Sequence, residues 1–149
     1  MQRIDAPSDE QPRFPTLFLA GGITNCPNWQ EDALTELADT NSTIFNPRRK
    51  TYPDDPAALR QQISWEYERL RSADAILFWF APGSLNPITL FELGSALERK
   101  QRLFIGADAG YSRIADLRIQ IALRSQETHI QEDFSSLITD IRGYFAAHA

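Results

Sequence analysis

Residues 75–97 of this chain read AILFWFAPGSLNPITLFELGSAL, and this stretch decides the fold. Its first six residues are an unbroken apolar run, which is typical of a strand buried on both faces of a parallel sheet. Pro82-Gly83-Ser84 ends that run. Asn86-Pro87 then predicts the start of a helix, with Asn at the cap and Pro at the first helical position. The stretch therefore predicts a central strand, a loop and a helix.

The predicted helix is mostly apolar, yet polar residues recur along it at steps of three. These residues are Asn86, Thr89, Glu92 and Ser95. At that spacing they lie along one side of the helix. A carboxylate there, just beyond the end of a central strand, is a candidate for chemistry, whereas a surface glutamate on an amphipathic helix is the alternative. Glu92 is therefore the first candidate catalytic residue.

Composition limits the classes of protein that fit. The chain has 149 residues, enough for one domain with a sizeable core. A net charge of −5 argues against a nucleic-acid polymer as the partner. One cysteine excludes an internal disulfide and fits a reducing compartment, and one cysteine with two distant histidines forms no His/Cys zinc site, so we expect no metal site. No stretch resembles a signal peptide or a membrane span, so we expect a cytoplasmic protein without a membrane partner.

Strands alternate with helices five times along the chain. The predicted strands cover residues 16–20, 42–45, 75–80, 102–105 and 128–130. This alternation predicts an α/β fold with a five-stranded parallel sheet. We expect the strand order 2-1-3-4-5, which places a ligand crevice between the carboxyl ends of the first and third strands. Residues 1–15 are polar and hold three prolines, so we predict a flexible N-terminal arm before a single domain of residues 16–149.

The apolar spacing of two helices predicts the faces that they bury. In the helix before the central strand, the predicted buried stripe consists of Leu59, Ile63, Tyr67 and Leu70. Glu66 falls off that stripe, so we expect it to face something else. The closing helix is strongly amphipathic, with apolar residues at Phe134, Leu137, Ile138, Ile141, Tyr144 and Phe145.

Two further segments follow the ends of predicted strands. Gly21-Gly22 lets the backbone turn sharply and lets a ligand approach closely, although a plain turn fits equally well. Asn46 and Arg48 belong to the basic loop after the second strand, where an arginine suits a phosphate group. A solvated loop is the alternative, and it is favoured for the two residues after Arg48. Because the strands are parallel, these loops and Glu92 should share one edge of the sheet.

Two carboxyl groups at such an edge suit the transfer of a sugar. The dipole at a helix N-terminus favours the ionised form of Glu92, and an ionised carboxylate suits a nucleophile. Sugar transfer commonly uses a second carboxyl group, which manages the proton of the leaving group. Glu66 is the best second candidate, because it precedes the central strand and is off the buried stripe. Asp74 lies at the opposite end of that strand, so we interpret it as structural.

Several motifs resemble the nucleoside 2-deoxyribosyltransferase family and, more narrowly, its bacterial nucleoside 2-deoxyribosyltransferase-like branch. They are TLFLAGG at 16–22, NPRR at 46–49, WEYERLRSADAILFWF at 65–80 and NPITLFELG at 86–94. The resemblance spans most of the chain from residue 16 to about residue 108. It implies a flavodoxin-like or Rossmann-like three-layer sandwich, and it makes residues 16–149 a single domain of this type.

The resemblance also implies an activity and a site. Members move 2-deoxyribose between bases through a covalent glycosyl-enzyme intermediate, whose nucleophile is the glutamate of an E-[LI]-G motif. That glutamate corresponds to Glu92, and a second family acid corresponds to Glu66. The implied partner is a small-molecule nucleoside or nucleotide, and the implied reaction requires no cofactor. The candidate substrate-binding residues are Phe18, Gly21, Gly22, Asn46, Arg48, Asn86 and Thr89.

Two positions differ from the better-known transferases. Those enzymes carry an Asp where this chain has Asn86, and a Tyr in the first strand where this chain has Phe18. An N-glycoside hydrolase on the same scaffold, in which water resolves the intermediate, is one alternative function. A non-catalytic nucleotide-binding or sensor domain is another. Relatives assemble as homo-oligomers, so we expect the same here. The face of Ile141, Tyr144 and Phe145 either contributes to the contact or packs on its own sheet, and packing on the sheet is favoured.

Overall fold

The computed structural model describes residues 1–13, 15–52 and 54–148. A parallel sheet of six strands in the order β1-β3-β2-β4-β5-β6 is flanked by helices. The strands are β1 Gln2–Asp5, β2 Thr16–Gly21, β3 Thr43–Asn46, β4 Ala75–Phe80, β5 Arg102–Ala107 and β6 Ile130–Gln131. The helices are α1 Trp29–Glu36, α2 Pro56–Ser72, α3 Pro87–Glu98, α4 Ile114–Arg124 and α5 Phe134–Ala147.

The predicted α/β fold is confirmed, and so is the order of the five predicted strands, but the predicted number of strands was wrong. The sixth strand, β1, lies within residues 1–15 and pairs with β3. Ile4 points into the core, whereas Arg3 and Asp5 are on the exposed side, as an edge strand allows. How mobile residues 1–15 are stays a prediction. Phe14 of the predicted arm, and Pro53 and Ala149 of the predicted domain, lie outside the described residues.

The central strand is β4, which pairs with β2 on one side and β5 on the other. Its side chains alternate between two cores. Ile76 and Phe78 face α2, α3 and α4, while Leu77 and Trp79 face α1 and α5. Asp74, directly before β4, accepts hydrogen bonds from the backbone N–H and hydroxyl of Thr16. These bonds tie β4 to β2, in keeping with a structural role for Asp74.

The predicted buried stripe of α2 was wrong at three of its four positions. Leu70 is buried, but three apolar residues on the helix face outward: Leu59, Ile63 and Tyr67. The reason is Trp65, whose large ring packs against Phe18 and Phe45 and turns its own side of the helix inward. Its indole N–H also donates to the carbonyl of Ser8. The buried face of α2 consequently consists of Gln62, Trp65 and Leu70.

The closing helix α5 packs as its spacing predicts. Its buried residues are Leu137, Ile138, Ile141 and Phe145. Ile141 and Phe145 lie against their own sheet, with Tyr144 partly buried beside them, as the second of the two interpretations of this face predicts. Of the described helices, none combines the length and the apolar character that a membrane crossing requires.

Candidate active site

The site lies at the edge of the sheet where β2 and β4 end. Gly21, the last residue of β2, is level with Trp79 near the end of β4. From there the chain enters the loops that lead to α1 and α3. The predicted convergence of loops at this edge is present, because hydrogen bonds join the loop after β3 to the loop after β2 and to α2.

Two carboxyl groups from neighbouring helices lie beside these loops, close enough for the charge of one to act on the other. Glu66 projects from α2 and Glu92 from α3, and both are largely buried. Burial raises the pKa of Glu92 to about 7, and the nearby charge of Glu66 adds to this rise. Burial also raises the pKa of Glu66, although a hydrogen bond from Gln62 acts in the opposite direction. The two groups therefore influence each other electrostatically.

The raised pKa of Glu92 differs from the expectation of an ionised carboxylate favoured by the helix dipole. Glu92 is the sixth residue of α3, so it lies beyond the first turn, to which the effect of the dipole is confined. Burial beside a second carboxyl group then decides its charge. A pKa of about 7 lets this group exchange its proton readily at neutral pH.

Gln62 holds Glu66 in place, and sequence reasoning missed it. Its side-chain nitrogen donates to Oε1 of Glu66 at 2.6 Å and to the carbonyl of Pro47 at 2.9 Å. Gln62 is one helical turn before Glu66, and it is buried. The only signal in the sequence was that Gln62 lies four residues before Glu66, which places the two on the same side of the helix. The wrong prediction of the buried stripe of α2 concealed this signal.

Asn86 and Thr89 face inward from the first part of α3. Asn86 is 5% exposed and so is Thr89, as the polar side predicted for this helix requires. The helix begins where Asn86-Pro87 predicted, but the side chain of Asn86 makes no capping hydrogen bond. Instead, its Oδ1 accepts a hydrogen bond from the thiol of Cys26 in the loop after β2. Cys26 is the second site residue that sequence reasoning did not identify.

The two glycines after β2 differ in their surroundings. A Cβ on Gly21 would lie 2.5 Å from the ring of Trp29 and 2.5 Å from the carbonyl oxygen of Trp79. A Cβ on Gly22 would lie 2.1 Å from Oδ1 of Asn86. Both positions therefore require glycine because of close packing. Gly22 borders the inward polar side of α3, whereas Gly21 belongs to the packing of α1.

Three of the other candidates are engaged with the protein itself. Phe18 is in the core, with its ring against Trp65. Asn46 donates to Asp5 of β1 and accepts from the backbone of Arg48. The guanidinium of Arg48 donates to the carbonyls of Pro27 and Cys26 and to Gln30, so it clamps the loop after β2.

No metal site is apparent in the described part of the chain. Among residues 1–13, 15–52 and 54–148, no group of three or more His, Cys, Asp or Glu side chains is arranged to hold an ion.

A family model described as nucleoside 2-deoxyribosyltransferase like matches residues 15–111, which is well over half of the chain. The chain belongs to this family. The resemblance of the sequence motifs to the family is thus confirmed. The matched segment runs from the start of β2 to the loop before α4, so it contains every candidate site residue.

A solved structure supports the fold. The chain is similar to a 2-deoxyribosyltransferase from the psychrotolerant bacterium Bacillus psychrosaccharolyticus, with a TM-score of 0.64 and 18% sequence identity. The similarity covers 89% of this chain and 94% of that one. At this level of identity it shows a shared fold. A comparison with curated protein sequences found no match.

Proposed function

We propose that this protein transfers a (2-deoxy)ribosyl group between bases through a covalent intermediate on Glu92. The observation that carries the proposal is the pair of largely buried carboxyl groups, Glu66 and Glu92, at the edge of the sheet where the loops converge. Burying two such groups next to each other is destabilising, so a fold that keeps them has a use for them. Membership of the nucleoside 2-deoxyribosyltransferase-like family supports the same reaction class.

The proposed reaction has two displacements at C1′ of the sugar. A carboxylate oxygen of Glu92 bonds to C1′ as the bond from C1′ to the base nitrogen breaks. The bonding electrons leave with the base, which takes a proton from Glu66. A second base then attacks C1′, the bond to Glu92 breaks, and Glu66 accepts the proton of the incoming base. Two displacements give net retention of configuration.

The charges of Glu66 and Glu92 suit these two displacements. Two adjacent carboxyl groups resist being ionised together, so one proton on the pair is favoured near neutral pH. In the free protein this proton favours Glu92, whose pKa is raised to about 7 beside the ionised Glu66. The proposal requires the proton to pass to Glu66, so that the pair supplies an ionised nucleophile and a proton donor at once. No metal or organic cofactor is needed for either step.

The candidate substrate residues take different parts in this proposal. Asn86 and Thr89, on the inward side of α3, contact the substrate, together with the backbone after Gly21-Gly22. Phe18 supports the site from the core below. Asn46 and Arg48 shape the pocket by holding the two loops. The substrate is a nucleoside or its 5′-monophosphate.

Mass spectrometry of the intact protein tests the proposal. Incubation with a panel of nucleosides and nucleoside 5′-monophosphates should add the mass of one sugar, and peptide mapping should place it on Glu92. The Glu92→Gln variant should show no adduct, whereas Glu98→Gln, at the exposed end of the same helix, should react like the natural protein. An adduct on another residue, or full activity of Glu92→Gln, would contradict the mechanism.

There are two alternative functions, and Asn86 and Phe18 favour the non-catalytic one, because the two positions lack the acid and the hydroxyl of the better-known transferases. In a hydrolase, water releases the sugar from the intermediate. Supplying two bases distinguishes this from transfer, since only a transferase produces the exchanged nucleoside. In a nucleotide-binding or sensor domain, a ligand binds tightly without turnover and binds equally well to Glu92→Ala.

We further propose that the protein is a homo-oligomer that uses the outward faces of α2 and α3. Large apolar side chains cover this surface: Leu59, Ile63, Tyr67, Ile88 and Phe91. An apolar patch of this kind is typical of an interface, and a two-fold axis through it would bring identical patches together. Sedimentation or light scattering should therefore show more than one copy per particle.

A further inference from the structure

The side-chain amide of Asn86 is held at one end and unpaired at the other. Oδ1 accepts from the thiol of Cys26, with 3.6 Å between Oδ1 and Sγ. Nδ2 is buried and has no hydrogen-bond partner among the described residues. Native proteins nearly always pair such a buried donor, so an unpaired one indicates a missing partner.

Gly22 fixes the direction of this amide. A Cβ on Gly22 would lie 2.1 Å from Oδ1 and 2.8 Å from Cγ of Asn86, and 2.4 Å from Sγ of Cys26. Only glycine permits this approach. Since the nearest atoms are Oδ1 and Cγ, the amide turns its oxygen toward Gly22 and Cys26. Its nitrogen is therefore directed away from both residues.

The side-chain amide of Asn86 does not stabilise the local backbone conformation. Its φ of 51° lies in the left-handed region, which asparagine tolerates better than most residues. Its carbonyl accepts from the N–H of Leu90, and its own N–H donates to the hydroxyl of Ser84. The side chain makes no capping bond to α3. The amide is thus free to serve a ligand.

The position of the thiol is also fixed. Arg48 donates to the carbonyls of Cys26 and Pro27 and to the side chain of Gln30. Gln30 in turn donates to the carbonyl of Gly22. One guanidinium thereby locks both ends of the loop that carries Cys26, so the thiol stays beside Asn86.

We propose that Cys26 and Gly22 orient the amide of Asn86 so that Nδ2 donates a hydrogen bond to the substrate, which must present an acceptor atom at this point. A keto oxygen, a ring nitrogen with a lone pair or a hydroxyl oxygen fits this requirement. An amino group does not fit, because it would place a donor against a donor. Cys26 is a positioning residue in this scheme, and it forms no bond to the substrate. The inference rests on the proposed function and specifies the substrate.

NMR of the free protein tests the orientation. The side-chain N–H signals of Asn86 should shift in Cys26→Ala, and exchange of these protons with water should be faster than in the natural protein. Cys26→Ser keeps a donor and should restore most of the natural spectrum. Gly143→Ala, in open space on α5, is the control and should leave the signals unchanged. Unchanged Asn86 signals in Cys26→Ala would overturn the proposal.

Addition of 2′-deoxyinosine, whose base carries a keto oxygen and ring nitrogen acceptors, tests the use of the donor. The Nδ2 protons of Asn86 should shift on saturation. Cys26→Ala should raise KM by about tenfold with a smaller change in kcat, as expected for the loss of one oriented hydrogen bond. Cys26→Ser should recover most of this loss. Asn86→Asp, which keeps the tolerance for φ > 0 but presents a carboxylate, should raise KM by at least about tenfold.

These results separate this inference from the proposed function. If 2′-deoxyinosine forms an adduct on Glu92 while the Nδ2 signals stay unchanged, the function holds and the donor role of Asn86 fails. If no nucleoside forms an adduct, the proposed function fails. The spectra of the free protein still decide in that case whether Cys26 orients Asn86.

Discussion

The two helical layers of this protein use their apolar residues in opposite ways. On one face of the sheet, α5 buries Ile141 and Phe145, and its apolar spacing predicts this packing. On the other face, α2 leaves Ile63 55% exposed and Tyr67 61% exposed, while it buries Gln62. The comparison shows that the apolar stripe of a helix identifies its buried face only where that face carries no polar groups of a functional site. On α2 and α3 the inward face also carries the polar groups of the site.

The largest expected effect is the loss of activity when Glu92, on the inward face of α3, is replaced. Glu92→Gln should lower kcat by at least about 10⁴-fold, because it removes a nucleophile for which the rest of the site cannot compensate. Steady-state base exchange measures this. Glu66→Gln should cost about 10²- to 10⁴-fold, as is typical for a general acid–base residue. Glu68→Gln, exposed on α2, is the matched control and should keep its activity.

The next largest effect is on the free energy of unfolding, which should respond differently to substitutions in the two helical layers. Ile141→Ala should reduce the free energy of unfolding by about 2–5 kcal/mol, because it leaves a cavity in the core. Ile63→Ala, the same change on the outward face of α2, should alter it by less than about 0.5 kcal/mol in the monomer. Urea unfolding at low protein concentration measures both. Equal losses for the two variants would contradict the difference between the layers.

The pH dependence of folding stability should reveal the raised pKa of Glu92 in the buried pair. The pKa of Glu92 is raised from 4.5 to about 7, so the folded protein binds this proton more tightly than the unfolded chain. This contribution to stability is full below pH 4.5 and is lost as the pH rises through about 7, a change of about 3 kcal/mol. Urea unfolding should show that Glu92→Gln gains stability relative to the natural protein as the pH rises from 5 to 8.

Activity should fall over the same pH range. The mechanism needs one proton on the pair, so kcat/KM should fall as the pH rises through about 7, where Glu92 ionises beside Glu66 and the last proton leaves. Glu66→Gln removes both the general acid and the charge that raises the pKa of Glu92, so its remaining activity should rise as Glu92 ionises, at a lower pH, and should not fall through 7. A fall through the same pH in both proteins would show that the two carboxyl groups do not act as a pair.

The smallest effect on folding stability is expected for a substitution that weakens the contact between copies of the chain. Phe91→Ser, on the outward face of α3, should shift the protein toward monomers while its unfolding in urea stays nearly unchanged. Analytical ultracentrifugation over a range of concentrations measures this shift. Leu123→Ser, another exposed apolar residue but on α4, is the control. An equal shift for both variants would show that the α2 and α3 faces are not the contact.

Much of the fold and part of the site could be predicted from local pattern. The strand at 75–80, the helix start at Asn86-Pro87 and the order of five strands depend on apolar runs, turn residues and the rules of parallel sheets. The edge strand β1 escaped prediction because its single buried residue, Ile4, gives almost no periodic signal. Gln62 and Cys26 escaped because only contacts between distant segments show what they hold.

The sequence by itself determined the α/β architecture, the edge of the sheet at which loops converge, and the two glutamates worth testing. It did so because strand runs, helix starts and family motifs are local features of the chain. The tertiary structure alone decided which face of α2 is buried, the raised pKa of Glu92 and the direction of the Asn86 amide. Each of these depends on groups that are far apart in sequence, and only packing sets their distance and their exposure to water.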